Sequence, residues 1–433
     1  MDKLPQDLHV DILRRLHSPD VARCRVASKI FDDAYSHLRS IKFKWTIVKP
    51  SSINLFKKIF LNLISNMRVV ESLCIGDVDE FREYDKKLGD DLNLLTHEEF
   101  IMEWLSKVSQ NLKSLSITYF LDDGSFWWQQ AKVLNLVSAN CHKLVELKMK
   151  YARLRSVDNL NPMLMLKSLT LEFIHLNDEN LNKLNTCVPN LQVLNLIGVT
   201  GIRKPKIHLL NLISCHLLPK HAFLEHLSLI TPRLIKLRVE EILSTSVLYV
   251  EAPLLSRLHI DCRYVQDAFS LKKFENLKQF SIKSSDIGSI LYYFTITETV
   301  EDLTVDARVG IGKNFRFTLE KLFTVFPKVT SLCIRSYAWW ELNREWFIIA
   351  SESSSKITQG TKGLRKLRIE NYKICDPSFF LLDVACVLDQ CIGLSEISLL
   401  ICSDVGGDVL KSEIDKCVAC WPNLKWRWRM YVE

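Results

Sequence analysis

Glycine and proline are scarce in this chain, 13 and 12 among 433 residues. A loop-rich sandwich needs more turn residues, and a collagen-like helix needs glycine at every third position, so both are excluded. No apolar run approaches the ~18 residues that span a bilayer, and no membrane partner is expected. Residues 1–16 hold no continuous apolar stretch of the export-signal kind. Nor is there a block of Lys or Arg: the net charge of +7 is mild for this length and forms no stripe, so nucleic acid is not an expected partner. Thirteen cysteines, an odd and scattered set, read as reduced thiols of the cytoplasm or nucleus and not as a disulfide framework. What is present is ordinary folded composition, 48% hydrophobic and 25% charged, in a chain too long for a single core. Several domains or a repeat array must share it.

The array is visible. From residue 70 onward a hexamer returns, Leu-x-x-Leu-x-Leu with aliphatic or aromatic substitutes: VESLCI (70–75), LKSLSI (112–117), LVELKM (144–149), LKSLTL (166–171), LQVLNL (191–196) and IHLLNL (207–212). It continues as LIKLRV (234–239), LSRLHI (255–260), LKQFSI (277–282), VEDLTV (300–305), VTSLCI (329–334), LRKLRI (364–369), LSEISL (394–399) and a degenerate LKWRWR (424–429). LRSIKF (38–43) is a candidate first strand. Each hexamer ends in alternation, which sets its last two apolar side chains on one face of a strand. Turn signals such as PN, PR or PK precede many copies, and helical stretches such as 97–109 and 377–391 lie between them.

The unit is therefore strand, loop, helix, turn, and it resembles the leucine-rich repeat over roughly residues 70 to 430. Strands stack ~4.8 Å apart while helices need 8–10 Å between axes, so a strand layer backed by helices must curve. The expected fold class is α/β: an irregular solenoid of about 14 repeats over residues 46–433, a horseshoe with parallel strands on its concave face. Starts 16 to 42 residues apart predict long loops after the first two hexamers and around 335–360.

Residues 1–45 follow other rules. Pro5 suits a first helical turn, and Leu8, Ile12 and Leu16 fall at i, i+4, i+8 with Leu4 ahead of them. Ser18-Pro19-Asp20 predicts a second helix capped by Ser18, and Ser28 a cap for a third carrying Phe31, Ala34, Tyr35 and Leu38. Three helices in about forty residues are too little core to stand alone. In Leu4, Pro5, Leu8, Ile12, Leu16, Asp20, Arg23, Cys24, Val26, Ser28 and Lys29 the segment is similar to an F-box, with Phe31 where that family usually has tryptophan.

An N-terminal F-box followed directly by irregular repeats resembles the plant F-box/leucine-rich-repeat proteins, although the further C-terminal module of many plant relatives is not seen. The resemblance implies a substrate-recognition subunit of an SCF-type cullin–RING ubiquitin ligase. Leu4, Pro5, Leu8, Ile12, Leu16, Val26 and Phe31 would then dock on the Skp-family adaptor and, through it, reach the cullin and RING subunits. The alternative is a repeat scaffold or receptor whose N-terminal helices merely cap the solenoid; a hormone co-receptor is a third reading.

Signals for intrinsic chemistry are weak. GIGK (310–313) lacks the first glycine and the Ser/Thr of a phosphate loop, and HEEF (97–100) lacks the second histidine of a zinc helix. CVAC (417–420) is a lone pair, and Cys141, Cys187 and Cys391 precede strands where a small apolar residue packs. No catalytic residue, metal or cofactor is expected. For an unidentified protein client the strand polar positions offer Lys236, Arg238, Arg257, His259, Arg335 and Arg368, suited to an acidic or phosphorylated segment. Glu146, Glu172, Glu240, Asp261, Asp302, Asp306, Glu370 and Glu396 project by the same count, so an ordinary solvated mixed-charge sheet is the favoured alternative. Trp127, Trp128, Trp339 and Trp340 follow strands, as interface anchors or as staples of loop to core.

Overall fold

The structure is a computed structural model. It describes residues 4–43, 53–76, 98–119, 133–154, 157, 159–220, 224–242, 247–262, 274–293, 298–308, 318–335, 338–339, 342, 362–374, 377–403 and 407–431. The chain forms two compact units, Met1–Ala222 and Phe223–Glu433. The GIGK segment, Trp127, Trp128, Trp340 and the three long loops read from the hexamer spacing lie outside the described residues.

The first unit opens with three helices, α1 (Gln6–Arg15), α2 (Ser18–Ala27) and α3 (Lys29–Tyr35). Pro5 is the N-cap of α1 and Pro19 lies in the first turn of α2. Ser18 is already helical: His17 occupies the N-cap, because a proline in the first turn needs no partner for a missing N–H. Ser28 does precede α3, although its hydroxyl makes no cap bond. Both α1 and α2 pack on α3, and α2 reaches the first strand, β1 (Ser40–Phe43).

After α4 (Ile53–Ser65) the repeats proper begin: β2 (Ser72–Ile75), α5 (Glu98–Val108), β3 (Ser114–Thr118), α6 (Val133–Asn140), β4 (Glu146–Lys150), β5 (Ser168–Glu172), α7 (Asp178–Cys187) and β6 (Val193–Val199). A short β7 (Lys206–His208) packs on α7, and β8 (Ser214–Pro219) closes the unit. The strands pair in parallel in the order β1-β2-β3-β4-β5-β6-β8. An aromatic cluster fills the space under the first two, with Phe60 at 4.3 Å from Phe43, 5.5 Å from Phe100 and 6.3 Å from Trp104.

One hydrogen-bond joint is repeated at each step. A single carbonyl receives two consecutive amides of the next repeat: Glu71 O from Lys113 and Ser114, Lys113 O from Val145 and Glu146, Gln192 O from Ile213 and Ser214. The last of these corrects the sequence reading. The sixth hexamer is LISCHL (212–217), not IHLLNL (207–212): Leu212 opens the repeat, with Cys215 and Leu217, both 1% exposed, as its inward pair.

The second unit repeats the scheme with β10 (Lys236–Ile242), β12 (Arg257–Cys262), β13 (Gln279–Ser284), α8 (Ile287–Tyr293), β14 (Asp302–Ala307), α9 (Leu319–Val325) and β15 (Ser331–Arg335). It continues with β16 (Lys366–Ile374), α10 (Pro377–Gln390), β17 (Glu396–Ser403), α11 (Gly407–Cys420) and β18 (Lys425–Tyr431). These eight strands form one parallel ladder, and the same joint recurs, from Ile235 O to Arg365 O. Beside it, β9 (His226–Ile230) pairs in parallel with β11 (Val247–Glu251), a strand where a regular repeat would carry a helix.

The fold is thus α/β, with parallel strands stacked one per repeat and helices between many of them. Each hexamer but the last buries its leucine positions, as in Leu112, Leu115 and Ile117 at 0%, 1% and 1% exposure. Burying one such side chain contributes about 2 kcal/mol. That burial is made against neighbouring repeats, so no repeat holds it alone.

Candidate functional site

Two surfaces carry the candidate positions. On α1 the spacing of apolar residues divides the helix into two faces. His9 and Leu13, 3% and 1% exposed, turn inward. Leu4 and Leu8 remain 40% and 48% exposed, Pro5 is exposed, and Ile12 and Leu16 are half-buried on the same stripe. Val26, near the end of α2, is 91% exposed. This small helical unit has a closed interior and still leaves a second apolar set outside it.

Phe31 does not belong to that outer set. It is 8% exposed and stands edge-on to the His9 ring at 5.5 Å, so it packs α3 onto α1 instead of facing outward. Tyr35 closes the base: its hydroxyl donates to the Leu63 carbonyl at 2.7 Å, and Arg25 lies 4.2 Å over its ring. Burial pushes the Tyr35 phenol up, and the Arg25 charge opposes this only in part. Between α2, α3 and α4 an open groove of about 520 Å³ is lined by Val26, Ile59 and the buried Leu63, with Arg25, Asp32 and Lys58 at its sides.

The second surface is the polar side of the second unit's ladder. Register sets Lys236 beside Arg257 and Arg238 beside His259. Cations at these positions are largely claimed by the carboxylates of the same face. Arg238 Nε bonds Glu240, and His259 Nε2 lies 3.9 Å from the same carboxylate while its Nδ1 is 2.9 Å from Ser281 Oγ. Arg335 and Arg368 converge on Glu370 at 2.9 and 2.6 Å. Lys236 and Arg257 are exposed and carry no ion pair among the described residues.

The acids of this face are buried: Asp261, Asp306 and Glu370 are 6%, 8% and 6% exposed. Burial raises the Asp306 pKa; Lys283 and Arg335 pull it down, and Asp261 and Glu370 push it further up. Two cations that hold this row, Lys283 and Arg308, lie outside the set picked from the sequence. Their signal was the charge alternation running on past the hexamer, in Asp306-x-Arg308. Trp339 is corrected outright: at 1% exposure it is a staple in the core and presents no ring to a partner.

In the first unit the equivalent row is closed by Glu172, held by Lys148 at 2.6 Å and Lys150 at 2.8 Å. Just past β4 and β5, Tyr151 and Phe173 stack at 5.1 Å with left-handed backbones, φ 58° and 52°. Gly198, at φ 64°, lies under the Phe173 ring, where a Cβ would come within 2.5 Å of Cδ1. Cysteines fill the bends before strands: Cys141, Cys187 and Cys391 are buried, and burial pushes the Cys141 and Cys391 thiols up to about 12. Among the described residues no group of His, Cys, Asp and Glu could hold a metal ion, and no helix is long and apolar enough to cross a membrane.

No family model matches the chain. It is similar, at 34% identity over 458 aligned residues, to an F-box/LRR-repeat protein of Arabidopsis thaliana, with 100% of this chain and 98% of that relative aligned.

Proposed function

Because the chain belongs to the F-box/LRR-repeat proteins, we propose that it is the substrate-recognition subunit of an SCF-type ubiquitin ligase. Its N-terminal helices dock on the Skp-family adaptor and its strand face holds a protein client. The observation that carries the docking half is the pair of apolar sets on α1 and α2. One closes the helices' own interior, and the other, Leu4, Leu8 and Val26, stays 40% or more exposed. Covering three such side chains is worth roughly 4–8 kcal/mol of gross transfer energy, enough to drive association.

The role is non-catalytic. A client held beside a ubiquitin-charged enzyme reacts through effective concentration, and the chain need supply no reacting group. For the client, Lys236 and Arg257 are the exposed cations of the predicted set that carry no ion pair among the described residues, and an acidic or phosphorylated segment is the matching chemistry. The free thiols suit the reducing cytoplasm or nucleus.

The test is co-purification of the full chain with a Skp-family adaptor. Leu8→Arg with Val26→Glu abolishes capture and leaves the far-UV circular dichroism unchanged. Capture that survives this pair of changes overturns the docking assignment. Client capture is tested separately with Lys236→Glu and Arg257→Glu, which reduce it while adaptor binding persists.

A further inference from the structure

The last ladder strand of the second unit has β17 on one side, and no strand pairs with its other edge among the described residues. The Lys425 amide donates to the Ser395 carbonyl. Alternation along a parallel pair then turns the amides of Arg427 and Arg429 toward β17 as well, and those of Trp426, Trp428 and Met430 toward the open edge. The side chains are equally unfinished. Trp426, Trp428 and Met430 stand in register with Ile397, Leu399 and Ile401. Those three are 0%, 1% and 0% exposed, whereas Trp428 and Met430 are 36% and 37% exposed. The same apolar row, one strand on, has lost its cover.

The opposite face is cationic: Lys425, Arg427 and Arg429 are all exposed. Arg427 reaches back to Glu396 at 3.1 Å, but Lys425 and Arg429 have no acidic partner among the described residues. Inner junctions of this ladder set carboxylates beside such cations, as Glu370 stands by Arg335 and Asp306 by Lys283. At β18 three cations share one facing acid, Glu396, which stands beside Lys425 and bonds Arg427.

We propose that β18 is a docking edge for an extended acidic segment of a partner protein, added as the next strand. Asp or Glu would face the cationic row, and apolar residues would alternate with them over Trp428 and Met430. Main-chain bonds supply affinity in such strand addition, and alternate side chains supply the choice of partner. Charge argues against a second copy of this chain. An antiparallel pairing that keeps both apolar rows on one side sets Lys425, Arg427 and Arg429 against each other, and like charges directly opposed are destabilising. The inference goes beyond the ligase reading and stands whether or not the helices bind an adaptor.

The experiment uses the full chain and a fluorescein-labelled synthetic peptide of alternating Glu and Ile, with a Lys–Ile peptide as counterpart, read by fluorescence anisotropy. The acidic peptide binds, and the basic one is at least tenfold weaker. Arg429→Glu weakens the acidic peptide at least tenfold and leaves the thermal midpoint unchanged. Trp428→Pro, which removes an outward amide, abolishes binding; should that variant fold poorly, Arg429→Glu decides alone. The proposal is overturned if the acidic peptide does not bind, or if Arg429→Glu binds it as well as the parent does. It is also overturned by sedimentation showing a dimer that Arg429→Glu disperses, or by slow hydrogen exchange at the Trp428 amide in the isolated chain, which would mean the edge is already covered.

Discussion

Arg308 grips Asp261 through two hydrogen bonds, Nε to Oδ1 and Nη2 to Oδ2, each 2.7 Å long. The carboxylate side chain is 8% exposed and the guanidinium side chain 21%. Hydrogen bonding to Asp261 raises the guanidinium pKa further, against the opposing effect of burial. The pair ties β12 to the residue after β14, across the strand between them, so it clamps three repeats at once.

Removing one half of that clamp strands a buried charge. Arg308→Met lowers stability in urea denaturation by about 3 kcal/mol, because Asp261 is left without its partner. Adding Asp261→Leu recovers most of the loss, to within about 1 kcal/mol of the parent. A double variant no better than the single one would show that the pair matters through something other than charge.

Glu172 predicts a pH dependence. Burial pushes its carboxyl up, but the ammonium groups of Lys148 and Lys150 outweigh this and leave the pKa below the ordinary 4.5. A folded-state pKa below the unfolded one stabilises the protein above pH 4.5 and loses that contribution as pH falls through the folded value. Glu172→Gln is therefore about 1 kcal/mol less stable than the parent at pH 7. The gap closes as pH drops below the ordinary carboxylate range, which thermal melts at a series of pH values will follow.

Gly198→Ala meets two obstacles, a left-handed backbone and the Phe173 ring. The expected cost is about 1–3 kcal/mol. Phe173→Ala in the same chain removes the steric part and leaves the backbone part, so the double variant is more stable than additivity allows. A thermal-melt double-mutant cycle measures that coupling.

Val26 and Phe31 separate docking from folding. Phe31→Ala opens the three-helix interior and costs about 3 kcal/mol. Val26→Ala, at 91% exposure, stays within about 0.5 kcal/mol of the parent yet weakens adaptor capture. Pull-down and denaturation curves on the two variants give opposite rankings.

Most of the ladder was legible in the hexamers, because a leucine facing the core has few substitutes. The sixth repeat was misplaced where Cys215 fills a leucine position: cysteine packs as a small hydrophobe, but the pattern counts leucines. LEHLSL (224–229) also satisfies the pattern; it forms β9, paired only with β11 among the strands of its unit. The site was less legible. That Leu8 faces out and Leu13 in could be read from helical spacing. Phe31 and Trp339 could not be placed, since an aromatic residue serves equally as anchor or core. Arg335 and Arg368 were legible as cations, but their shared carboxylate, Glu370, became visible only once two strands stood side by side.

The joint that links one repeat to the next, a lone carbonyl accepting two successive amides, is built from main-chain atoms, to which Ser256, Thr330 and Ser395 add a hydroxyl at their own junctions. Mutation on the outward face leaves these main-chain bonds in place, and a longer excursion between joints changes nothing at the joint itself. Lineages that inherit this scaffold are free to rewrite their polar surface residue by residue. Divergent polar faces are what such an architecture allows without any change in how the chain holds together.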